Sequence, residues 1–337
     1  MNRDQRHEAQ DKSGKAKDPR DPAWQAHGRS ADKPSGVPLR GWKDILIRVK
    51  NEVQQDDIST QAAALAFYGM LAVFPALVAL VSIYGLLADP VDVEQQLNSM
   101  AVLLPGAARD IISGQLHALV SNSDGSLGVG VLVGILGALW SASSGVASLI
   151  KGINLAYDEK ETRGFFKMRG LALLFTMALI LFATVAFGLI AVLPGVLGIQ
   201  GGPLGWALSV ARWPFLAMGV LVGLAVLYRY APDRDRARWR WVTWGSAIAS
   251  VIWLLASVGF SVYVSNFGNY DKTYGTIGGV IVLLLWFYVS SFVILLGAEI
   301  NAEIEAQTAK DSTKGPEKPL GKRGANKADT LGEIQTA

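Results

Sequence analysis

Tyr274–Ala298 reads YGTIGGVIVLLLWFYVSSFVILLGA, 25 residues without a single Asp, Glu, Lys or Arg. A helix needs about 20 apolar residues to cross roughly 30 Å of hydrocarbon, and it satisfies all of its own backbone groups while doing so. Four other runs share this character: Ala62–Leu87, Leu127–Ile150, Leu171–Leu193 and Trp241–Val264. A sixth, Leu204–Tyr228, is interrupted by Arg212 with Pro214 behind it. It reads as a span whose arginine lies near an interface beside Trp213, where a long cation can reach the headgroups. Runs this long exclude a spanning β-barrel, whose strands alternate over about 10 residues. The expectation is an all-α, polytopic membrane bundle of six transmembrane helices.

Charge orients it. Of 31 Lys and Arg, 28 fall in Met1–Gln61, Lys151–Gly170, Arg229–Arg240 and the stretch from Glu299 onward. The intervening loops hold only Arg109, Arg212 and Lys272. Positive residues concentrate on the cytoplasmic side, which predicts a multi-pass membrane protein with both termini inside. Membrane lipids are the expected partners. The basic loops need no nucleic acid to explain them.

The ends and loops read differently. Met1–Gly41 and 307–337 are polar and are expected to be disordered cytoplasmic tails around a membrane domain at 42–306, because neither offers enough apolar surface to offset chain entropy. Deleting Met1–Ser35 or Asp311–Ala337 should then leave an inserted, stable protein. Met1–Gly41 has no apolar stretch of the kind a cleavable signal requires. Trp42, Ile45, Leu46, Val49 and Val53 recur at helical spacing, with Lys43, Asp44, Arg48 and Lys50 opposite, which predicts an interfacial amphipathic helix. In the first outer loop, Asp89-Pro90 begins one amphipathic helix and Ile112, Leu116, Leu119 and Val120 mark another, lying laterally on the outer face.

Several chemistries are excluded. There is no cysteine, so neither a disulfide nor a thiolate site exists. Two of three histidines lie in the N-terminal tail, and neither a metal site nor a cofactor is expected. No catalytic constellation is visible, and an enzyme is not expected.

Three polar constellations lie in or beside the spans. Ser141, Ser144 and Ser148 share one helix face, with Asn154 beyond. They either line a solute path or permit close helix packing, as Gly130 and Gly134 would on the same helix; such small-residue faces also suit a homo-oligomer. Asn266, Asn269, Tyr270 and Tyr274 sit around the last outer loop, where they either bind a polar group or cap their own backbone. Glu299 and Glu303 lie four residues apart at the inner end of the last span, where the helix dipole opposes them. They are either ion-pair partners of the Arg229–Arg240 loop or coupling carboxylates. Tyr68 stands inside the first span, near the kink expected at Pro75.

The segments AAALAFYGMLAVFPAL (62–77), WSASSGVASLIKGINLAYDEKETR (140–163), LYRYAPDR (227–234) and YVSNFGNYDKTYGTIGGVIVLLLWFYVSSFVILLGAEINAEIE (263–305) closely resemble the YihY/BrkB family of bacterial inner-membrane proteins. The resemblance covers about residues 40–306. It implies a six-span, transporter-like protein of unsettled substrate, linked to serum resistance and to envelope lipid or lipopolysaccharide traffic, and in some members an old ribonuclease label. It implies no catalytic residues. Transport or flipping of an envelope lipid or other amphipathic or small solute is the leading expectation. A non-transporting scaffold for envelope biogenesis is the alternative. A metal-dependent nuclease lacks an evident carboxylate or histidine cluster.

Overall fold

The computed structural model describes residues 22–87, 129–187, 189, 202–267 and 276–335. Its helices are α1 (Pro22–Ala26), α2 (Leu39–Gln55), α3 (Ile58–Leu87), α4 (Val129–Ala156), α5 (Phe165–Phe187), α6 (Gly202–Tyr230), α7 (Trp239–Phe267), α8 (Thr276–Glu305) and α9 (Asn326–Asp329). A single 3-10 turn lies at Pro34–Gly36, and Ala237 and Thr313 form an isolated antiparallel bridge.

Among the described residues, five stretches are long and apolar enough to cross a membrane: Val133–Ala156, Phe165–Ala186, Trp213–Tyr230, Trp239–Val264 and Gly278–Glu305. Ile58–Val73 of α3 is a shorter apolar stretch. Pro75 and Pro214 both lie inside continuous helices. The expected lateral helices of the first outer loop lie outside the described residues.

The order of packing is α5–α4–α3–α8–α7–α6, with α6 returning to touch α5 and α2 lying against α8. The buried residues gather at the end of the bundle where both chain-terminal segments pack. There Ile58, Leu65, Ile150, Ile153, Tyr157, Met168, Leu227, Tyr228, Leu295 and Ala298 form one core. Val37, Ile45, Val49, Trp241, Ile300 and Ile304 form a second, which seats α2 on α7 and α8. Toward the other end, residues 251–264 of α7 and 279–292 of α8 include no buried residue. Apolar side chains gain little from being withdrawn from lipid, so burial there is not enforced.

Two expectations are corrected. Residues 307–335 are not a disordered tail: Arg323, Lys327, Asp311, Ser312 and Thr313 are buried. The segment is ordered by hydrogen bonds to the scaffold rather than by an apolar core of its own. The Ala309 amide donates to the Arg29 carbonyl and the Gly332 amide to the Ala306 carbonyl. Arg323 donates to the carbonyls of Ala309, Lys310, Lys318 and Ala328. The N-terminal segment is likewise ordered from residue 22, with Trp24 and Arg29 buried.

The second correction concerns α2. Its inward face is Gly41, Asp44, Ile45, Arg48 and Val49, while Leu46 is exposed. Asp44 and Arg48, assigned to the solvent side by their charge, face inward because partners wait there. His27 Nδ1 lies 2.5 Å from Asp44 Oδ2.

Candidate functional site

The last two turns of α8 carry Glu299, Asn301, Glu303 and Glu305, all buried. The 3.6-residue period splits them between two faces. Glu299, Glu303 and Gln307 point toward α2 and the C-terminal segment. Asn301 and Glu305 point toward α7 and the loop before it.

On the first face, Arg48 Nε donates to Glu303 Oε2 at 2.5 Å, and Arg48 Nη2 donates to the Glu303 carbonyl and to Gln307 Oε1. Lys327 Nζ donates to Glu303 Oε1 at 2.7 Å and lies 3.0 Å from Asp158 Oδ2 and 3.5 Å from Glu52 Oε1. Asp158 takes a left-handed backbone (φ 56) just past α4, where the Glu159 amide returns to the Asn154 carbonyl. This helix-ending geometry suits the short polar side chain of Asp. Burial would lower the Lys327 pKa, but the carboxylates of Glu303, Asp158 and Glu52 hold it well above its ordinary value.

Three acidic groups at a helix C-terminus, Glu299, Glu303 and Glu305, oppose its dipole. Cations answer them. Arg29 Nη1 donates to the Ala306 and Gln307 carbonyls at 3.1 and 3.3 Å, capping the helix end. Burial and the neighbouring charge of Arg48 push its pKa down to about 10.

On the second face, Arg234 clasps Glu305 through Nη1 at 3.2 Å and Nη2 at 2.6 Å, and the Ser312 hydroxyl donates to Glu305 Oε2 at 2.7 Å. The Gly245 amide donates to Asn301 Oδ1 at 2.8 Å. Only a glycine lets α7 come this close, since a Cβ on Gly245 would overlap the Asn301 amide.

Glu299 differs from all of these. It is fully buried, and neither carboxylate oxygen has a hydrogen-bond partner among the described residues. An uncompensated buried carboxylate is costly, and its neighbours Glu303 and Glu305 show that the fold can supply cations when it needs them.

The remaining predicted residues scatter. Asn154 joins two loops: its Nδ2 donates to Glu161 Oε2 and its Oδ1 accepts from the Asp233 amide, both at 2.8 Å. Arg163 and Thr162 tie the same carboxylates together. Ser144 accepts from Arg169 Nη1 at 3.2 Å, and the Arg169 guanidinium stacks 4.1 Å over the Trp140 ring. Ser148 donates to the Ser144 carbonyl, and Ser141 is exposed. Tyr68 is about half exposed, edge-on to Phe67. The Asn266 side chain and all of Asn269, Tyr270 and Tyr274 lie outside the described residues.

Thus the structure brings Glu299 and Glu303 together and adds Arg48, Glu52, Asp158, Arg234, Glu305 and Lys327, none of which was among the candidate site residues. The expected loop arginine is present, but it takes Glu305 instead of Glu299. One signal was available for the α2 residues: Asp44, Arg48 and Glu52 recur every four positions, a charged stripe that a buried ionic face would produce.

Comparison with known proteins adds a family. A family model described as Virulence factor BrkB matches residues 49–321. The putative ribonuclease-like protein YfkH of Bacillus subtilis (strain 168) is 34% identical over 72% of this chain and 88% of the relative. A UPF0761 membrane protein of Pseudoalteromonas atlantica is 24% identical over 79% of this chain and 89% of the relative. Another, of Vibrio vulnificus (strain YJ016), is 24% identical over 75% and 79%. No solved structure gives a significant match.

Proposed function

This chain belongs to the Virulence factor BrkB family of membrane proteins, and we propose that it is a six-span, N-in/C-in transporter- or flippase-like protein of the bacterial cytoplasmic membrane. Its cargo on this reading is an envelope lipid or another amphipathic or small solute. The observation that carries the proposal is Glu299, a buried carboxylate without a partner inside a membrane-length helix. Groups kept at such cost within membrane helices commonly serve ion or substrate pathways.

On this reading the protein is not an enzyme. The name of the Bacillus relative is ribonuclease-like, but Glu303, Glu161 and Glu305 are engaged by Arg48 and Lys327, by Arg163 and by Arg234, respectively, instead of being left open for catalysis. Membrane lipids are the partners. Gly134 of α4 faces open space, which suits a second copy packing there.

The test is reconstitution in liposomes with a panel of labelled lipids and solutes, measured across pH beside melting temperature. Wild type should move at least one probe, and Glu299→Gln should fold normally yet lose the pH- or ion-dependence of that movement. A scaffold would move none. A folded Glu299→Gln with unchanged rate and pH profile would remove Glu299 from the pathway.

A further inference from the structure

Lys327 is an enclosed cation of the C-terminal segment, with a side chain only 6% exposed. Three carboxylates from three separate elements converge on its ammonium: Glu303 from α8, Asp158 from the turn after α4 and Glu52 from α2. The N···O separations of 2.7–3.5 Å suit three N–H donors directed at three acceptors. A hard metal ion would need its oxygens at about 2.0–2.6 Å, and no group of three or more acidic or histidine side chains among the described residues is placed to hold one.

Glu299 lies one turn before Glu303 on the same face of α8, beside the same cradle. Its two oxygens are buried and carry no hydrogen bond.

We propose that this cradle is a binding site for a primary ammonium group, and that Lys327 is its tethered occupant. The C-terminal segment then closes the site from within the chain, and a free amine or the amine-bearing headgroup of a lipid takes the position when the segment withdraws. Charge balance requires a successor. With Lys327 gone, Glu52, Asp158 and Glu303 lose the cation they share, and an uncompensated buried charge is strongly unfavourable. The tether is anchored on both sides of Lys327: Asn326 donates through its amide to Glu159 Oε1 and through Nδ2 to the Asp158 carbonyl, and beyond it the Gly332 amide donates to the Ala306 carbonyl and Arg48 Nη1 to the Glu333 carbonyl. Withdrawal exchanges these bonds for bonds to water.

The proposal reads binding alone, so it stands or falls whether or not anything is transported. The experiment is chemical rescue of full-length Lys327→Ala in phosphatidylcholine nanodiscs. The variant should melt lower than wild type, and millimolar ethylammonium should restore at least half of the loss, saturably. Tetramethylammonium, which has no N–H donor, and sodium chloride at equal ionic strength should not. Lys327→Ala/Glu303→Gln should lose the response. Repeating the measurement in phosphatidylethanolamine nanodiscs separates the sources: restoration without added amine assigns the headgroup, and restoration by ethylammonium alone assigns a soluble amine. Absence of rescue by either, or equal rescue by tetramethylammonium, overturns the proposal. If the variant does not survive purification, wild type decides. Saturating ethylammonium should speed tryptic cleavage at the buried Arg323 and Lys327 at least threefold over tetramethylammonium, and equal rates overturn it.

Discussion

The two ends of the bundle are built on different principles. At the end where the chain-terminal segments pack, helices are fixed by an apolar core, close glycine contacts and ion pairs whose partners are far apart in sequence. Arg48 and Glu303 are 255 residues apart. Toward the other end, the described parts of α7 and α8 present Val251, Leu255, Val258, Val262 and Ile281 outward, and their polar groups turn to their own helix or to the adjacent one. Ser257 donates to the Trp253 carbonyl four residues back. Trp253 and Trp286 meet at a tilt of 50° with ring centroids 5.6 Å apart, and the Trp253 indole donates to Ser290. The difference shows where specificity resides. The apolar spans tell the chain to be in a membrane, and the ionic end tells the helices which neighbour to take.

The largest effect should come from removing the segment that completes the ionic end. A chain ending at Lys310 should still insert, since its spans are intact. Losing Lys327 leaves buried carboxylates short of a partner, which costs about 3–5 kcal/mol where one member of a buried pair is deleted. Thermal unfolding in detergent would show it, and a melting temperature equal to that of wild type would mean that the segment contributes nothing to the ionic end.

A matched pair of glycines sharpens the comparison at intermediate size. A Cβ on Gly297 would overlap the Tyr228 hydroxyl and the Ala249 methyl, whereas Gly259 has open space around it. Tyr228 has no room to retreat, because its hydroxyl donates to the Ile294 carbonyl at 2.8 Å. Gly297→Ala should therefore destabilise by about 1–3 kcal/mol through overpacking. Gly259→Ala should be neutral or stabilising by less than about 1 kcal/mol, as helix propensity favours alanine. Equal effects in the two variants would erase the distinction between the ends.

The smallest effect is acid sensitivity confined to the ionic end. Burial alone would raise the carboxyls of Glu161, Asp233 and Asp311. Hydrogen bonds from Arg163, from Thr162, and from the Lys318 amide and Thr313, respectively, outweigh it and hold all three below the usual carboxylate range. A depressed folded-state pKa stabilises the fold above the ordinary value of about 4 and ceases to do so as pH falls through the folded one. Hydrogen exchange followed from pH 7 to 3 should show the 158–163, 231–238 and 309–329 segments opening before α7 loses protection. Simultaneous loss along the chain would break the prediction.

Sequence alone carried the membrane character because hydrocarbon imposes a length that can be counted along a single run. It also carried the Glu299–Glu303 face, because a spacing of four is local. It could not assign the cations. Arg234 lies on the expected side yet pairs with Glu305, a choice set by how α6 and α7 cross. Lys327 was hidden in a segment judged by its own composition, which says nothing about a scaffold waiting for it. The α2 stripe shows the same limit: amphipathic spacing tells which residues share a face, and only packing tells which face turns inward.

The long sequence separations at the ionic end also impose an order on biogenesis. Arg48 and Glu52 are synthesised early, Glu303 about a whole bundle later, and Lys327 another 24 residues after that. Until that last stretch has left the ribosome, the acids of α2, α4 and α8 have been threaded into place without their full complement of cations. The protein is thus electrically unfinished when the span carrying Glu303 is inserted, and the segment that carries Lys327 finishes it. Truncated products would present an acidic, loosely held face to the quality-control proteases of the cell.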